Sequence, residues 1–544
     1  MDDDENEPPQ PPIVAVKPST SQGNKRRRVE NTFNWTKDDL PPDDPFLQTR
    51  GNFSPRTSEE VLSPLQYFLN FFCMDVIENI VQQTNLYSTQ QRGTSIATNN
   101  KEITDFLSII LMMGVLHLPS YEDYWSGGTR VPTIADVMPI KRFKLLRRFI
   151  HFNNNELITE NTKDRYFKVR PLIEQIRANC QKFHLENDFS IDETMVAYKG
   201  TRAGNLRQYI KNKPYKWGYK FFVIAGVSGI ILDFIPYQGS ATFTELKGTK
   251  HELTEHELSL GVGASVVIAL CKSVPDPVNS VVYFDNYFSG LPLFTYLKQN
   301  LNIRSLGTLR SNRIAGCPIE VDKVLIKQGR GTFDYKSDII QGITVIKWVD
   351  NKCVLLGSTI YGVNPTSNLK RFSKPAGKKI DIVCPNVVSK YNKHMGGVDK
   401  ANALMGLYKT PSKAKRWYFA IFTYLLDISV VNAWIVYRQD CSALNQKYKP
   451  LKHFRLEIIQ SLAQTGKTPK KGRPSVENNT KIKYPVVVRP DNLTRKDCYG
   501  HWPIHTTKGR CRNCTNGTTR LKCIKCDSRL CLTETKNCFY DFHQ

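Results

Sequence analysis

The sequence is short of acid. Against 76 lysines and arginines stand 50 aspartates and glutamates, a net charge of +26 at pH 7. That imbalance argues against a small neutral ligand as the main partner and for a polyanion, with nucleic acid first and an anionic membrane surface second. The sequence also lacks an uninterrupted apolar run suited to a bilayer. Its longest, from Phe419 to Tyr437, is broken by Asp427 and Asn432 and reads as a buried helix. The opening stretch MDDDENEPPQ is acidic and lacks the basic-then-apolar order of a secretory leader. Cysteine is sparse along the body: seven of the 14 are scattered, and the other seven lie between Cys498 and Cys538. Such clustering suits metal ligation in a reducing compartment better than a disulfide framework. These absences lead to the expectation of a soluble intracellular protein without membrane contact. A chain of 544 residues exceeds one ordinary core, so several domains are expected.

Residues 1–45 are rich in Pro, Asp, Ser and Asn and read as a disordered tail. Within them Asn24 to Arg28 (NKRRR) reads as a nuclear import signal or a DNA-touching arm. Residues 46–187 carry apolar residues at helical spacing, as in PLQYFLNFFCMDVIENIVQQTN and EITDFLSIILMMGVLHLP, and predict a helical region whose stripes are core. From 188 to 310 the pattern changes. DFSIDETMVAY reads as a strand, and GYKFFVIAGV and IILDFIPYQ flank Ser228-Gly229 at hairpin spacing. Then come a helix at ASVVIALCKSV, a strand ending at Asp285, a helix at GLPLFTYLKQN and a strand at IRSLGTLR. Three antiparallel strands, helix, strand, helix, strand is the element order of an RNase H-like domain. Residues 311–385 read as a β-rich insertion, 386–408 as a return to the core, and 409–464 as a second helical part. A basic linker over 465–497 includes Lys470 to Ser475 (KKGRPS), which resembles an AT-hook core, although a plain basic linker is the simpler reading. A cysteine-rich domain over 498–544 follows. The expected fold class is multidomain α+β.

Chemistry concentrates in three places. A continuous apolar strand, Val281 to Phe284, runs into Asp285, and a charge at such a position is costly unless it is paired or holds a metal. In the expected layout the first and fourth strands are neighbours at the sheet centre, so Asp192 and Asp285 reach one edge. Period-two alternation turns Glu193 to the opposite face from Asp192, so only one of the two belongs to the site. A third carboxylate should come from a later helix. Asp399 in MGGVDKAN is the choice, with Gly396 and Gly397 allowing close backbone approach. Short carboxylates of this kind suit two magnesium ions and in-line displacement at phosphorus.

The second place is Tyr198 to Lys220, with seven basic residues, five aromatics and no acid. Lys199, Arg202, Arg207, Lys211, Lys213, Lys216 and Lys220 are the candidate DNA contacts, and Tyr or Trp faces can stack on unpaired bases. The third is the spacing Cys511-x2-Cys514-x8-Cys523-x2-Cys526-x4-Cys531-x6-Cys538-x4-His543. Paired soft ligands at such spacing suit tetrahedral zinc, and two closed sites need an eighth ligand.

Five separated motifs then agree in order: SPLQYFLNFFCMDVIENIVQQTN, SIDETMVAYKGTRAGNLRQYIKNKPYKWGYK, YFDNYFSG, HMGGVDKANALMGLY…KRWY and the cysteine cluster. Together they resemble the piggyBac transposase family over roughly residues 35–544. The resemblance implies an RNase H-like core with an aspartate triad at Asp192, Asp285 and Asp399, and a cut-and-paste transposase that acts through hairpin intermediates at transposon ends and joins TTAA targets. It further implies flanking helical regions that dimerise and bind DNA, a homodimer or larger assembly on terminal repeats, action in the nucleus, and a cross-brace domain holding two zinc ions. It places a histidine upstream of the first cysteine pair, which points to His501, with His505 as second choice and Cys498 in reserve. One departure is Asn402, where some members carry a further acid. The rival expectations are a domesticated derivative that binds DNA or chromatin without cutting, and a metal-dependent nuclease without strand transfer.

Overall fold

The computed structural model describes residues 33–40, 60–160, 162–201, 203–211, 213–314, 316–464, 490 and 492–544. Asn24 to Arg28, Lys470 to Ser475 and Arg202 lie outside the described residues, as do most of the N-terminal tail and of the 465–497 linker. The chain is mixed α+β and divides into two compact units. One comprises Met1–Val61, Arg177–Leu407 and Ser412–Tyr448; the other comprises Leu62–Ile176, Tyr408–Pro411 and Lys449–Gln544.

The first unit is built on a nine-stranded sheet. Its strands are β1 (Asp188–Ala197), β2 (Gln208–Tyr209), β3 (Trp217–Gly226), β4 (Ile231–Pro236), β5 (Val281–Phe284), β6 (Arg304–Thr308), β7 (Phe333–Asp338), β8 (Ile343–Val349) and β9 (Cys353–Ser358). Their spatial order is β2-β3-β1-β5-β6-β9-β8-β7, with β4 also paired to β3. The predicted hairpin is β3–β4, and Gly229 takes the left-handed turn position at φ +94° that a side chain would resist. β5 lies parallel to both β1 and β6; the connecting helices are α1 (Val262–Cys271) and α2 (Leu291–Asn300). Residues 311–385, read from sequence as an insertion, contribute β7, β8 and β9 to this same sheet, because β9 pairs antiparallel with β6 at Leu306–Ser358. A separate ribbon, β10 (Ser367–Ser373) and β11 (Lys378–Cys384), follows.

The sheet's two faces carry two cores. Phe189, Ile191, Phe222, Ile224, Val282 and Phe284 pack with α1 and α2. Val281, Tyr283, Leu306, Ile346 and Trp348 pack instead with Val387 and Val388 of α3 (Asn386–His394). α4 (Gly397–Leu407) and the long α5 (Trp417–Ala443) follow. Among the described residues α5 is long and apolar enough to cross a membrane, and it is buried. The asparagine that interrupts it has a structural use. Asn432 Oδ1 accepts from the backbone N–H of Ile231 at 2.9 Å while its Nδ2 donates to the carbonyl of Ile231 at 2.8 Å, so its amide satisfies the outer edge of β4.

At the opposite edge, Thr36 and Ser337 exchange backbone hydrogen bonds of 2.8 and 3.0 Å. Phe33 and Trp35 stack at 5.2 Å and pack against the first core. Asp39 accepts from the N–H groups of Val363 and Asn364 at 2.9 and 3.1 Å.

In the second unit the helices Pro64–Phe71, Met74–Arg92, Asn100–Met113 and Leu451–Gln464 begin and end where capping chemistry dictates. Ser63 and Gln66 form a capping box, Asn99 caps the third helix, and Gly93 stops the second at φ +69°. Arg455 is buried and donates to the carbonyl of Leu111 and to Thr410 Oγ1 at 3.3 and 2.6 Å.

The first unit also buries a charged network. Asp233, on β4, accepts from Arg177 at 2.8 and 3.2 Å and from Ser273 Oγ at 2.5 Å. Its carboxyl stays below its ordinary range: burial opposes the shift, and the Arg177 guanidinium overcomes it. Replacing Asp233 by Ala strands a buried guanidinium and is expected to cost about 3–5 kcal/mol in urea unfolding. The paired change Arg177→Met with Asp233→Leu should recover most of that loss.

Candidate active site and metal centres

The acid pair is a product of register. Ile191 stands opposite Phe284 in the parallel pairing of β1 with β5, so Asp192 and Asp285 follow at neighbouring positions. β5 stops there because Asp285 opens a turn: its Oδ1 accepts from the N–H of Tyr287 at 2.8 Å, and its carbonyl accepts from Ser289 Oγ at 2.8 Å. Asp192 Oδ1 accepts from the N–H of Glu193 at 2.7 Å. Burial pushes the Asp192 carboxyl up to about 7; Glu193 and Asp285 add like charge, and Lys213 opposes them. Asp285 is raised for the same first reason, with Glu193 adding to it. Two half-buried carboxylates whose charge is disfavoured are what a divalent cation relieves, so the donor set fits magnesium.

The third acid sits on a helix pinned across Asp192. The N–H of Val398 donates to Ser190 Oγ at 3.0 Å, and Asn402 Nδ2 donates to Thr194 Oγ1 at 3.1 Å. Ser190, Asp192 and Thr194 share one face of β1, so the two anchors bracket the acid between them. A Cβ on Gly397 would lie 2.5 Å from the carbonyl oxygen of Gly226 and 2.6 Å from Ser190 Oγ, whereas Gly396 faces open space. Only the second glycine of the pair is therefore required for the approach. Asp399 lies in the first turn of α4, exposed, and its carboxylate makes no hydrogen bond or ion pair among the described residues. The three aspartates are not among the groups whose ligand atoms converge within 4.8 Å of one another.

Sequence reasoning missed Tyr391 of α3. It packs against the core on the Tyr283 face of the sheet, which is also the face of Asp285, and burial pushes its phenol up to about 12, with the charges of Asp285 and Asp192 adding to the shift. No periodicity signals it.

The basic segment divides by use. Glu193 is engaged by Lys213, whose Nζ is 3.5 Å from its carboxylate and 3.1 Å from its carbonyl. Lys220 is packed over the rings of Phe222 and Tyr287 at 4.6 and 4.5 Å. Arg207 stacks on Trp217 at 4.3 Å and donates to the carbonyl of Lys199 at 2.8 Å. Lys199, Lys211 and Lys216 are exposed, and their side chains make no hydrogen bond or ion pair among the described residues.

The C-terminal donors form two groups of four: His501, Cys523, Cys526 and His543 in one, Cys511, Cys514, Cys531 and Cys538 in the other. Along the chain the groups interleave. The eighth donor is His501; His505 lies on β12 (Pro503–Arg510), paired with Leu521 of β13 (Thr518–Cys523), and Cys498 is exposed. His543 Nδ1 lies 2.6 Å from the carbonyl of Phe539, which leaves Nε2 buried without a hydrogen-bond partner and aimed for ligation. His501 Nδ1 is 3.4 and 3.5 Å from the sulfurs of Cys523 and Cys526, and its Nε2 is 3.0 Å from Asp497 Oδ1. Lys525 in turn pairs with Asp497. A Cβ on Gly517 would meet the sulfurs of Cys514 and Cys531 at 2.5 and 2.7 Å, so only glycine lets that loop close. Sulfur and imidazole in fours, with a carboxylate behind one imidazole, fit zinc. Asp497 was not singled out from sequence, although its place four residues before His501 is a usable signal.

Two outcomes are expected. Asp497→Asn should weaken zinc at the two-histidine group about 10–100-fold by competition with a chromophoric chelator, and leave the four-cysteine group unchanged. The other concerns pH. A carboxyl raised in the folded state contributes stability that is complete below its unfolded value, about 3.9, and is lost as pH rises through about 7. Magnesium should therefore raise the melting temperature more at pH 8 than at pH 5, and Asp192→Asn should shrink the difference, leaving the part due to Asp285.

A family model described as transposase IS4 matches residues 63–434. The human (Homo sapiens) PiggyBac transposable element-derived protein 3 is 30% identical over 527 residues, covering 93% of this chain and 81% of that protein. The human PiggyBac transposable element-derived protein 2 is 29% identical over 489 residues, covering 88% and 77%. Among solved structures, a cryo-EM piggyBac transposase synaptic complex with hairpin DNA superposes with a TM-score of 0.63 at 22% identity, covering 85% of this chain and 94% of that one. The chain belongs to the piggyBac transposase family.

Proposed function

We propose that this chain is a cut-and-paste DNA transposase whose nine-stranded sheet holds an RNase H-like catalytic core, with Asp192, Asp285 and Asp399 as its metal-binding triad. The observation that carries the reading is the register-enforced pairing of Asp192 with Asp285, each pushed toward its neutral form by burial. Two magnesium ions held there would supply the charge that activates water and stabilises the leaving oxygen of an in-line displacement on DNA. The protein's own part is positional. The Asp285 turn fixes one carboxylate, the two anchors of α4 carry Asp399 onto the Asp192 face, and Lys199, Lys211 and Lys216 neutralise phosphates farther along the same DNA.

In this reading cleavage frees a 3′ hydroxyl at each transposon end, hairpin intermediates form and are resolved, and the ends join TTAA targets. The zinc domain binds terminal-repeat sequence, the helical regions hold two copies on DNA, and the reaction takes place in the nucleus. A second reading, DNA or chromatin binding without cleavage, draws on the names of the human relatives, which record derivation from transposable elements. Asn402 lends it less support than its chemistry suggests, because its amide is engaged with Thr194 as a brace between helix and strand.

Asp285→Asn decides between them. Asparagine keeps the Oδ1 that accepts from Tyr287, so the turn survives while the charge goes. On DNA carrying the element's terminal repeats, magnesium-dependent cleavage should fall by about 10³-fold or more with binding retained. Binding without cleavage by the unaltered chain would favour the second reading, and cleavage without joined products would leave a nuclease.

A further inference from the structure

The β2–β3 corner carries rings that the proposed chemistry at the acids does not use. Tyr209, Tyr215 and Trp217 are 51%, 50% and 39% exposed, which is unusual for three large rings so close in sequence. Tyr209 pairs with Trp217 across the strands, with ring centroids 4.9 Å apart at 53°. Trp217 is held in place: Arg207 covers it at 4.3 Å while donating to the carbonyls of Lys199 and Gly200 at 2.8 and 3.2 Å. Beneath this corner β3 presses close to β1, since a Cβ on Gly218 would come within 2.1 Å of the carbonyl oxygen of Val196. The ledge is therefore rigid, and a rigid ring loses little freedom when a ligand stacks on it.

Register gives its relation to the acids. Asp192 lies opposite Val223, Thr194 opposite Phe221 and Val196 opposite Tyr219, and the next position of that series on β3 is Trp217. Trp217 and its cross-strand partner Tyr209 thus share the face of Asp192. The six steps from Val223 to Trp217 span roughly 20 Å of strand, about six rises of a nucleic-acid helix. The exposed Lys211 and Lys216 flank the rings, and no acid occurs between Tyr198 and Lys220. Solvent-exposed aromatic rings framed by exposed cations are the chemistry of a site that stacks a nucleobase while neutralising its phosphates.

We propose that Tyr209, backed by Trp217 and Arg207, is a stacking platform for an unpaired nucleobase of the DNA under reaction, about six steps from the scissile phosphate. This rests on the reading of the chain as a DNA-acting enzyme, and extends it by naming the residue that distinguishes an unpaired base from a paired one.

The test uses the full zinc-loaded chain and two oligonucleotides of the same sequence, one blunt and one with a short single-stranded overhang containing 2-aminopurine. The unaltered chain is expected to bind the overhang form more tightly and to quench the 2-aminopurine. Tyr209→Ala should weaken that binding about 5- to 100-fold and abolish the quench, with blunt-duplex affinity unchanged. Tyr209→Phe, which keeps the ring, should restore both. Equal loss on the two oligonucleotides would assign the ledge to paired DNA and overturn the proposal, as would no loss on either. The two readings fail separately: quenching that depends on Tyr209 in a chain that never cleaves would sustain the platform and sink the transposase, while Asp285-dependent cleavage with no Tyr209 effect would do the reverse.

Discussion

β1 and β5 run parallel with Ile191 beside Phe284, and β5 then stops while β1 continues to Ala197. That difference in length opens a notch at the carboxyl end of β5, and the residue following each of the paired positions is an aspartate. A slip of one residue would set Asp285 against Ile191 and turn Asp192 into the core that α1 and α2 cover. Both cores therefore guard the register. Phe284 is locked on one face and Tyr283 on the other, where its hydroxyl donates to Asp188 at 2.8 Å and His394 stacks on its ring at 5.0 Å. The acids can be held partly out of water because the strands beneath them have no other way to pack.

The helix that carries Asp399 is held to the same strand. Ser190 and Thr194 flank Asp192 on the strand, small and hydroxylic, and each receives or gives one bond to α4. Larger side chains there would lift the helix. Gly397 completes the fit by admitting backbone to within van der Waals contact of β3.

Much of this was legible in the sequence, for identifiable reasons. Period-two alternation and the turn at Ser228-Gly229 announced β1, β3 and β4, and an apolar run ending in a charge announced β5 and Asp285. The zinc donors announced themselves by spacing, and the choice of His501 over His505 followed from the resemblance to relatives. What the sequence concealed were relations between distant segments. Nothing local in Cys353–Ser358 says that it will pair with Arg304–Thr308, and so that the strands of the β-rich insertion extend the main sheet. Charge alone could not tell Lys199, whose amine is open to solvent, from Arg207, which is spent on Trp217 and two carbonyls, or from Lys220, which lies over aromatic rings. Asp497 and Asn402 look ordinary in sequence because their partners are a metal donor and a strand hydroxyl.

The two outer margins of the sheet are closed by different means: Asn432 offers a side-chain amide where β4 would otherwise present bare peptide groups, and Thr36 pairs with Ser337 on β7. Open margins invite copies of a chain to zip together through their backbones, and a sheet this wide would be a potent template. Asn432 at Ile231 and Thr36 at Ser337 each take up peptide groups of such a margin and so shorten the template that another copy would find. Association is then left to side-chain surfaces, whose strength and specificity a sequence can tune one residue at a time.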